Sequence, residues 1–436
     1  MTIKKTVFKI EIKKYLLYKG VFELKLSKKL STLILVLFFF TGITFATDFE
    51  KETINIAILG YGTVGSGVNE VVNNNANNIE RWSDKHVKVK KIFVRKTHTD
   101  LLNNSGIFTA NFEEILNDPE IKIVVEAMCG LDPAYDFVKH CLESGKSVVT
   151  ANKLLVATHG AELLKIAQEN KVNLKFEASV GGGIPIIEPM MCSLSANNIN
   201  KICGILNGTT NFILTKMRNE NLSFEEALKM AQKLGYAEAD PTADIEGLDA
   251  RNKICILASI AYGIHVYPQD VYVQGISNIS LADIKCAENL GYVIKLIAYA
   301  QKDGENKLSI FVSPMLVPKS NPLSIVDDVF NAVLIDGDCT GEIMFYGKGA
   351  GKFPTASAVV SDIISCIKNF DFPRKAYWED NHSENLLNHC PGLNNGKCYF
   401  KVMENGIEKT FIAENISKKE MENSGIKLIS SITVLE

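Results

Sequence analysis

No CxxC pair and no His/Cys ligand spacing occurs in the 436 residues, although ten cysteines are scattered along them. That arrangement excludes a disulfide frame and a structural zinc site, and reads as reduced thiols in a cytosolic (cytoplasmic) protein. A strong charge of one sign is also missing. The net charge is -3, so overall electrostatics favour neither nucleic acid nor an anionic membrane surface as partner. Apolar residues are not in short supply: 46% hydrophobic against 22% charged is ordinary for a globular protein. The length allows two or three domains with separate cores.

The first fifty residues stand apart. Lys4, Lys5, Lys13, Lys14, Lys28 and Lys29 precede Leu30–Ala46, which is almost wholly apolar. A signal peptide with Thr44-Phe45-Ala46 as its cleavage site, a short membrane anchor, and a mis-assigned start with translation beginning near Lys51 are three readings the residues leave open. A membrane contact follows only if this leader is translated and retained, and residues 1–50 are kept out of the fold.

What is present begins at Ile54–Leu59, an isoleucine-rich strand pattern, followed at once by Gly60-Tyr61-Gly62-Thr63-Val64-Gly65 and a helical pattern (Val64, Val68, Val71, Val72). GxGxxG between strand and helix is the dinucleotide fingerprint. The first glycine permits the tight turn, the second lets a pyrophosphate reach the backbone, and the third lets the helix pack closely. The phosphates would lie at the helix N-terminus, where free N–H groups and the dipole favour an anion. The next strand, Val87–Val94, ends without the acid that would bind a ribose 2′-hydroxyl. Arg95 and Lys96 stand there instead, a pair that accommodates the 2′-phosphate of NADP, with NAD the alternative.

Strands at Ile121–Ala127, Ser147–Thr150 and Val172–Glu177 alternate with helical patterns at Pro133–Ser144 and Thr158–Asn170. Such alternation predicts an α/β fold with a doubly wound parallel sheet. Ligands then bind beyond the carboxyl ends of the strands, where Met128-Cys129-Gly130 and Lys153 fall. Glu177-Ala178-Ser179-Val180-Gly181-Gly182-Gly183-Ile184-Pro185 follows. Three consecutive glycines mark unusual backbone angles or a close approach. A hinge between domains and a crossover whose carbonyls, with Glu177, hold a hard cation are both compatible with this segment.

Further on, a strand at Ile199–Leu206 runs into the polar Asn207-Gly208-Thr209-Thr210-Asn211 and a helix at Phe212–Arg218. Ser223 and Glu226 form a capping box for another helix, which Gly235 stops. Glu238, Asp240, Asp244, Glu246 and Asp249 then crowd a loop opened by an Asp240-Pro241 turn. Asp249, Lys253 and Leu257 recur at helical spacing, which puts Asp249 and Lys253 one turn apart on one face. An isolated pair of this kind is most often a solvated ion pair. Beside so many carboxylates, it suits a small cationic substrate and a proton-transfer partner. Strand patterns at Tyr272–Ile276, Leu308–Leu316, Ala332–Ile335 and Glu342–Tyr346, with few helices between, predict a mixed sheet. A second glycine-rich turn, Gly347–Gly351, precedes a helix that Pro354 opens and that runs to about Ile367.

VVTANK, EASVGGGIPII, NGTTNFILTKM, GYAEADPTADIEGLDARNK and GKGAGKFPTASAVVSDI, in this order over roughly residues 54–372, resemble the homoserine dehydrogenases. The resemblance implies NAD(P)-dependent interconversion of L-aspartate 4-semialdehyde and L-homoserine, on the pathway to threonine and methionine. By it, Lys253 matches the proton donor, Asp249 the acid beside it, and Lys153 a lysine near both cofactor and substrate that is itself a candidate acid. Glu238 matches the group that binds the substrate ammonium, with Asp244 and Asp240 as further substrate-side carboxylates. Gly60, Gly62, Thr63, Val64, Gly65, Arg95, Lys96, Cys129, Lys153 and Gly351 form the implied cofactor set. Glu177, Val180, Gly182 and Ile184 match a monovalent-cation (sodium) site.

The implied architecture is a Rossmann-type cofactor domain over 51–182, completed by 350–372. A catalytic and dimerisation domain of α+β type is inserted over 183–349, and a homodimer or homotetramer is the expected assembly. Residues 373–436 depart from the pattern. Strand-like pieces at Cys398–Val402, Thr410–Ala413 and Leu428–Val434 read as a degenerate ACT-like appendage, without the family's ligand-binding turn. Nothing in the leader resembles an aspartate kinase.

Overall fold

The computed structural model describes residues 51–104, 106–303, 307–371, 373, 378–380, 386–387, 397–404, 407–414 and 427–435. The leader, with its Leu30–Ala46 run, lies outside them. Among the described residues no helix is long and apolar enough to cross a membrane.

The first sheet is built from β1 (Thr53–Leu59), β2 (His86–Phe93), β3 (Phe108–Thr109), β4 (Ile121–Glu126), β5 (Ser147–Thr150) and β6 (Leu174–Lys175). Its order is β3-β2-β1-β4-β5-β6 and every pairing is parallel. Side chains alternate across a strand, so β1 feeds two cores at once. Ile56 and Ile58 pack with Val68 and Val72 of the helix Thr63–Asn74 and with Val359 and Ile363 of Lys352–Lys368. Ala57 and Leu59 join Val138, Leu155 and Leu163 of the helices Ala134–Glu143 and Lys153–Glu169 on the other face. Helices on both faces explain the continuous apolar stretches of the two central strands, Ile56–Leu59 in β1 and Ile123–Val125 in β4. The strand order reverses between β1 and β4, and in this architecture a ligand sits at that switch.

Ten strands form the second, mixed sheet: β7 (Ile199–Ile205), β8 (Tyr272–Val273), β9 (Tyr292–Asp303), β10 (Lys307–Pro318), β11 (Phe330–Gly337), β12 (Gly341–Lys348), β13 (Leu386–Leu387), β14 (Lys397–Glu404), β15 (Ile407–Glu414) and β16 (Lys427–Val434). The main path runs β12-β11-β7-β9-β10-β16-β14-β15, with β8 and β13 also paired to β10. Leu308, Ile310 and Val312 of β10 face the helix-side core, whereas Phe311, Met315 and Val317 face a smaller cluster behind it. The three strands expected in the tail are present, slightly longer than their sequence patterns. They extend this sheet through Met315–Thr433 and Leu316–Val434.

Several expected boundaries are corrected. The helix expected at Thr158–Asn170 starts at Lys153, because the Asn152 side chain accepts from the backbone N–H of Leu155 and caps it. The helix expected at Phe212–Arg218 starts at Gly208 for the same reason, with Asn207 as its cap. The strand expected over Val172–Glu177 pairs only at Leu174–Lys175 before a 3₁₀ turn at Glu177–Ser179. The helix after Gly351 begins at Lys352, which places Pro354 inside its first turn, where no N–H is needed. β9, a twelve-residue strand, was not expected at all.

Two connectors between the sheets, the glycine run after β6 and the turn after β12, lie side by side. Gly183 N–H donates to Lys348 O at 3.0 Å. A Cβ on Gly182, whose φ is +51°, would fall 2.5 Å from Gly349 O. The glycine run is therefore a close approach between two connectors.

Candidate active site

At the carboxyl end of β1, the three glycines have the backbone geometry that the motif requires. Gly60 has φ +95°, and its N–H donates to Phe93 O at 3.0 Å, tying the turn to β2. A Cβ on Gly65 would lie 2.0 Å from Gly60 O, so the helix can approach the turn only without a side chain there. Around Gly62, which caps the helix, the Cβ position is open with nothing within 4 Å. That opening fits a pyrophosphate against the first N–H groups of the helix carrying Thr63, Val64 and Gly65. Arg95 and Lys96 are exposed directly after β2, beside β1. Beyond β4, Cys129 is exposed. Glu126, which ends β4, is wholly buried; it accepts from Met128 N–H at 2.7 Å and from the Thr150 hydroxyl. Burial pushes its carboxyl up to about 7 against those two bonds.

Around Asp249 lies a lattice of charge. Asp249 stands in the first turn of the helix Leu248–Tyr262, where free N–H groups and the dipole favour a carboxylate. Its Oδ2 receives Lys253 Nζ at 2.7 Å and its Oδ1 receives Lys153 Nζ at 2.7 Å. Lys253, one turn on, also donates to Leu206 O at 2.6 Å, at the end of β7. The Asn207 amide donates to Asp244 Oδ1 at 2.6 Å and to Asp249 Oδ2 at 2.9 Å. Asp249 and Lys253 are buried, while the Lys153 side chain is 44% exposed.

Burial alone would push the Asp249 carboxyl up, but Lys253 and Lys153 outweigh it and hold it well below the usual carboxylate range. Burial pushes the Lys253 ammonium down, and the second cation, Lys153, adds to that. The one carboxylate they share does not compensate. The charge of Asp249 holds Lys153 above the ordinary lysine value. Asp244 is raised by its own burial and by the Asp249 charge, opposed by the Asn207 bond. Removing one partner from such a buried pair costs about 3–5 kcal/mol, because the other charge is left uncompensated.

Not all the carboxylates of the acidic loop converge. Asp240 is exposed, and its Oδ1 accepts from the N–H (3.1 Å) and the hydroxyl (2.6 Å) of Thr242. Glu246 accepts from the Ser277 hydroxyl. Glu238 is exposed on the loop, with its backbone carbonyl taking Gln232 Nε2 at 3.2 Å. Gly351 has φ +129° and caps the helix Lys352–Lys368. Glu177 is buried, its Oε1 accepting from Ile186 N–H (2.6 Å) and Ile187 N–H (2.9 Å), and its Oε2 from Glu188 N–H (2.6 Å). Among the described hydrogen bonds none ends on the carbonyls of the buried residues Val180, Gly182 and Ile184. Asn207 and Leu206 were not singled out from the sequence. The polar run after an apolar strand was the signal for Asn207; the Leu206 carbonyl gave none.

Family models described as "Homoserine dehydrogenase, NAD binding domain" and "Homoserine dehydrogenase" match residues 60–177 and 185–364. A homoserine dehydrogenase of Bacillus subtilis (strain 168) is 45% identical over 322 residues, 73% of this chain and 74% of its own length. One from Synechocystis is 46% identical over 320 residues, 72% of this chain and 73% of its own. The crystal structure of a homoserine dehydrogenase from Thiobacillus denitrificans superposes with a TM-score of 0.80 at 35% identity, covering 88% of this chain and 99% of that one. A hyperthermophilic archaeal homoserine dehydrogenase in complex with NADPH gives a TM-score of 0.64 at 31% identity, over 74% of this chain and 99% of that one.

Proposed function

The chain belongs to the homoserine dehydrogenase family, and from that premise we propose that Lys253 and Lys153, held on the two oxygens of Asp249, bind and protonate the oxygen that reacts. The family consists of NAD(P)-dependent oxidoreductases of the aspartate-derived amino-acid pathway, interconverting L-aspartate 4-semialdehyde and L-homoserine. The reading rests on one observation: a lysine beyond the cofactor sheet and a lysine beneath the second sheet meet on a single buried carboxylate. The glycine turn after β1 would hold the dinucleotide, whose nicotinamide, when bound, would supply hydride to the aldehyde carbon.

The protein's own part is the proton. Lys253 has three N–H groups, of which Asp249 and Leu206 O take two, so one is left for a developing alkoxide. Its lowered affinity for a proton brings it towards the working range of a general acid. Lys153, half-exposed and bonded among the described residues to Asp249, has two N–H groups left to hold the same oxygen. In homoserine oxidation the roles reverse, and neutral Lys253 accepts the proton. The exposed carboxylate of Glu238 takes the substrate ammonium, with Asp244 behind it; Asp240, occupied by Thr242, contributes the turn that presents them.

Arg95 and Lys96 support a preference for NADP(H) over NAD(H), and the NADPH complex of the archaeal relative is in keeping with that. The residues also fit a sodium ion: the carbonyls of Val180, Gly182 and Ile184 and the remaining lone pair of Glu177 Oε2 are hard oxygen donors. The cation would brace the crossover between the sheets. Met344 and Tyr346 stand exposed on β12, one of the two end strands of the sheet, which supports a homodimer or homotetramer built on that strand. The tail is read as an appendage of the second sheet, and cytoplasmic location follows if the leader is not retained. The test is turnover of L-homoserine by the purified chain from Lys51, first with NADP and then with NAD. Cofactor binding without reduction of either dinucleotide would overturn the reading.

A further inference from the structure

We propose that Asn207 is a positioning residue for this reaction, using both protons of one amide to fix the spacing and direction of the Asp244 and Asp249 carboxylates. The proposal rests on the reading of Asp249, Lys253 and Lys153 as the reacting centre. Asn207 satisfies every bond its amide can make. Nδ2 donates to Asp244 Oδ1 at 2.6 Å and Asp249 Oδ2 at 2.9 Å, while Oδ1 accepts from Thr210 N–H at 2.8 Å and the Thr210 hydroxyl at 3.0 Å. These partners settle the amide's orientation. A flipped amide would set its oxygen against two carboxylates and its NH2 against the Thr210 N–H.

The two halves of the side chain have separate tasks. Capping the helix Gly208–Glu220 needs only the oxygen. Serine or aspartate would cap as well, but serine cannot reach two carboxylates and aspartate would add a third. Asparagine alone among the good caps supplies an acceptor to the helix and two donors to the site, so the choice of residue is set by the carboxylates. Asp249 Oδ2 then has two fixed donors, Asn207 and Lys253, and its other oxygen is left facing Lys153. Asp244 faces the charges of Asp249, Lys253 and Lys153 and the hydroxyl of Thr209. The Asn207 amide is the neutral donor bonded to both this carboxylate and that of Asp249.

The test compares Asn207→Ser, Asn207→Asp and Lys253→Ala with the unmodified chain, reading thermal midpoint, kcat, homoserine KM and the pH profile of kcat/KM. Asn207→Ser is expected to keep its thermal midpoint within a few degrees while kcat falls about 100-fold, the size of effect that a misplaced catalytic group produces. Losing the donor favours the protonated form of Asp244, so the acid limb of kcat/KM moves to higher pH. Asn207→Asp is expected to fall further, since it adds a like charge. A serine variant with kcat within twofold of the parent and an unmoved acid limb would make Asn207 a helix cap only and overturn the proposal. If the serine variant does not fold, the aspartate variant decides: parental kcat overturns the proposal, whereas lost kcat with an intact midpoint supports it. Undiminished turnover in Lys253→Ala would overturn the underlying site reading instead.

Discussion

The two ends of the proposed site are built on opposite principles. At the cofactor end the protein offers space and backbone: an open position at Gly62, a helix N-terminus, and two exposed cations, Arg95 and Lys96. At the substrate end it offers side chains already engaged with one another: Lys153, Asp249, Lys253, Asn207 and Asp244, linked by bonds of 2.6–2.9 Å. A large anionic ligand brings its own charge and needs only unpaired donors to receive it. A proton-transfer site must hold its charges in place before the substrate arrives, because reorganising them during reaction would raise the barrier. The difference predicts that single substitutions cost far more at one end than at the other.

Breaking the lattice at its centre gives the largest expected effect. Asp249→Asn leaves Lys253 buried without its counter-charge, so a stability loss of about 3–5 kcal/mol is expected along with a fall in kcat of about 10³-fold. Thermal unfolding and steady-state turnover check the two together. The pH dependence has a definite sign. Asp249 is held below its unfolded value, so its contribution to stability is present above about pH 4 and is lost as pH falls through the lower folded value. The asparagine variant should lack that part of the acid loss.

Lys253→Ala comes next, with kcat down about 10²-fold, the lower end of the range for a lost general acid, and NADPH affinity within twofold of the parent. Equal loss of both would point to a fold defect and remove support for its role. Glu238→Ala should raise the homoserine KM about tenfold, since an exposed charge-assisted contact contributes about 1.5 kcal/mol, with kcat little changed. An unmoved KM would count against ammonium binding there. Smallest of all, Arg95→Ala should raise the KM for NADP severalfold, a surface ion pair contributing under about 1 kcal/mol, and leave that for NAD alone. A parallel rise for both dinucleotides would assign Arg95 to the shared pyrophosphate instead.

Much of the cofactor end was legible in the chain. β5 falls at Ser147–Thr150 as expected, and the glycine spacing announced the turn, because both depend on contiguous residues. Ser223 and Glu226 make their capping box for the same local reason. The early helix starts at Lys153 and Gly208 were missed because Asn152 and Asn207 look like loop residues until their capping bonds are seen. β9 was missed because its strand character comes from pairing with β10 and β7, which its apolar run does not announce. At the substrate end, five carboxylates in one loop looked equivalent. Only the fold separates Asp249, which meets both lysines, and Asp244, which shares the Asn207 amide with it, from Asp240, which holds its own turn, and Glu246, which takes the Ser277 hydroxyl.

By itself, then, the sequence determined the parallel sheet, the glycine-rich turn after β1 and the set of residue types available for proton transfer, since each is written in local spacing. Only the tertiary structure decided which oxygen of Asp249 each lysine holds, and that Asn207, 42 residues earlier, holds the same carboxylate. Those bonds join the end of β7, the start of a helix beyond β5, and the first turns of the helix Leu248–Tyr262. Buried charges hold their positions only when every partner is supplied at once, and no single stretch of this chain supplies them.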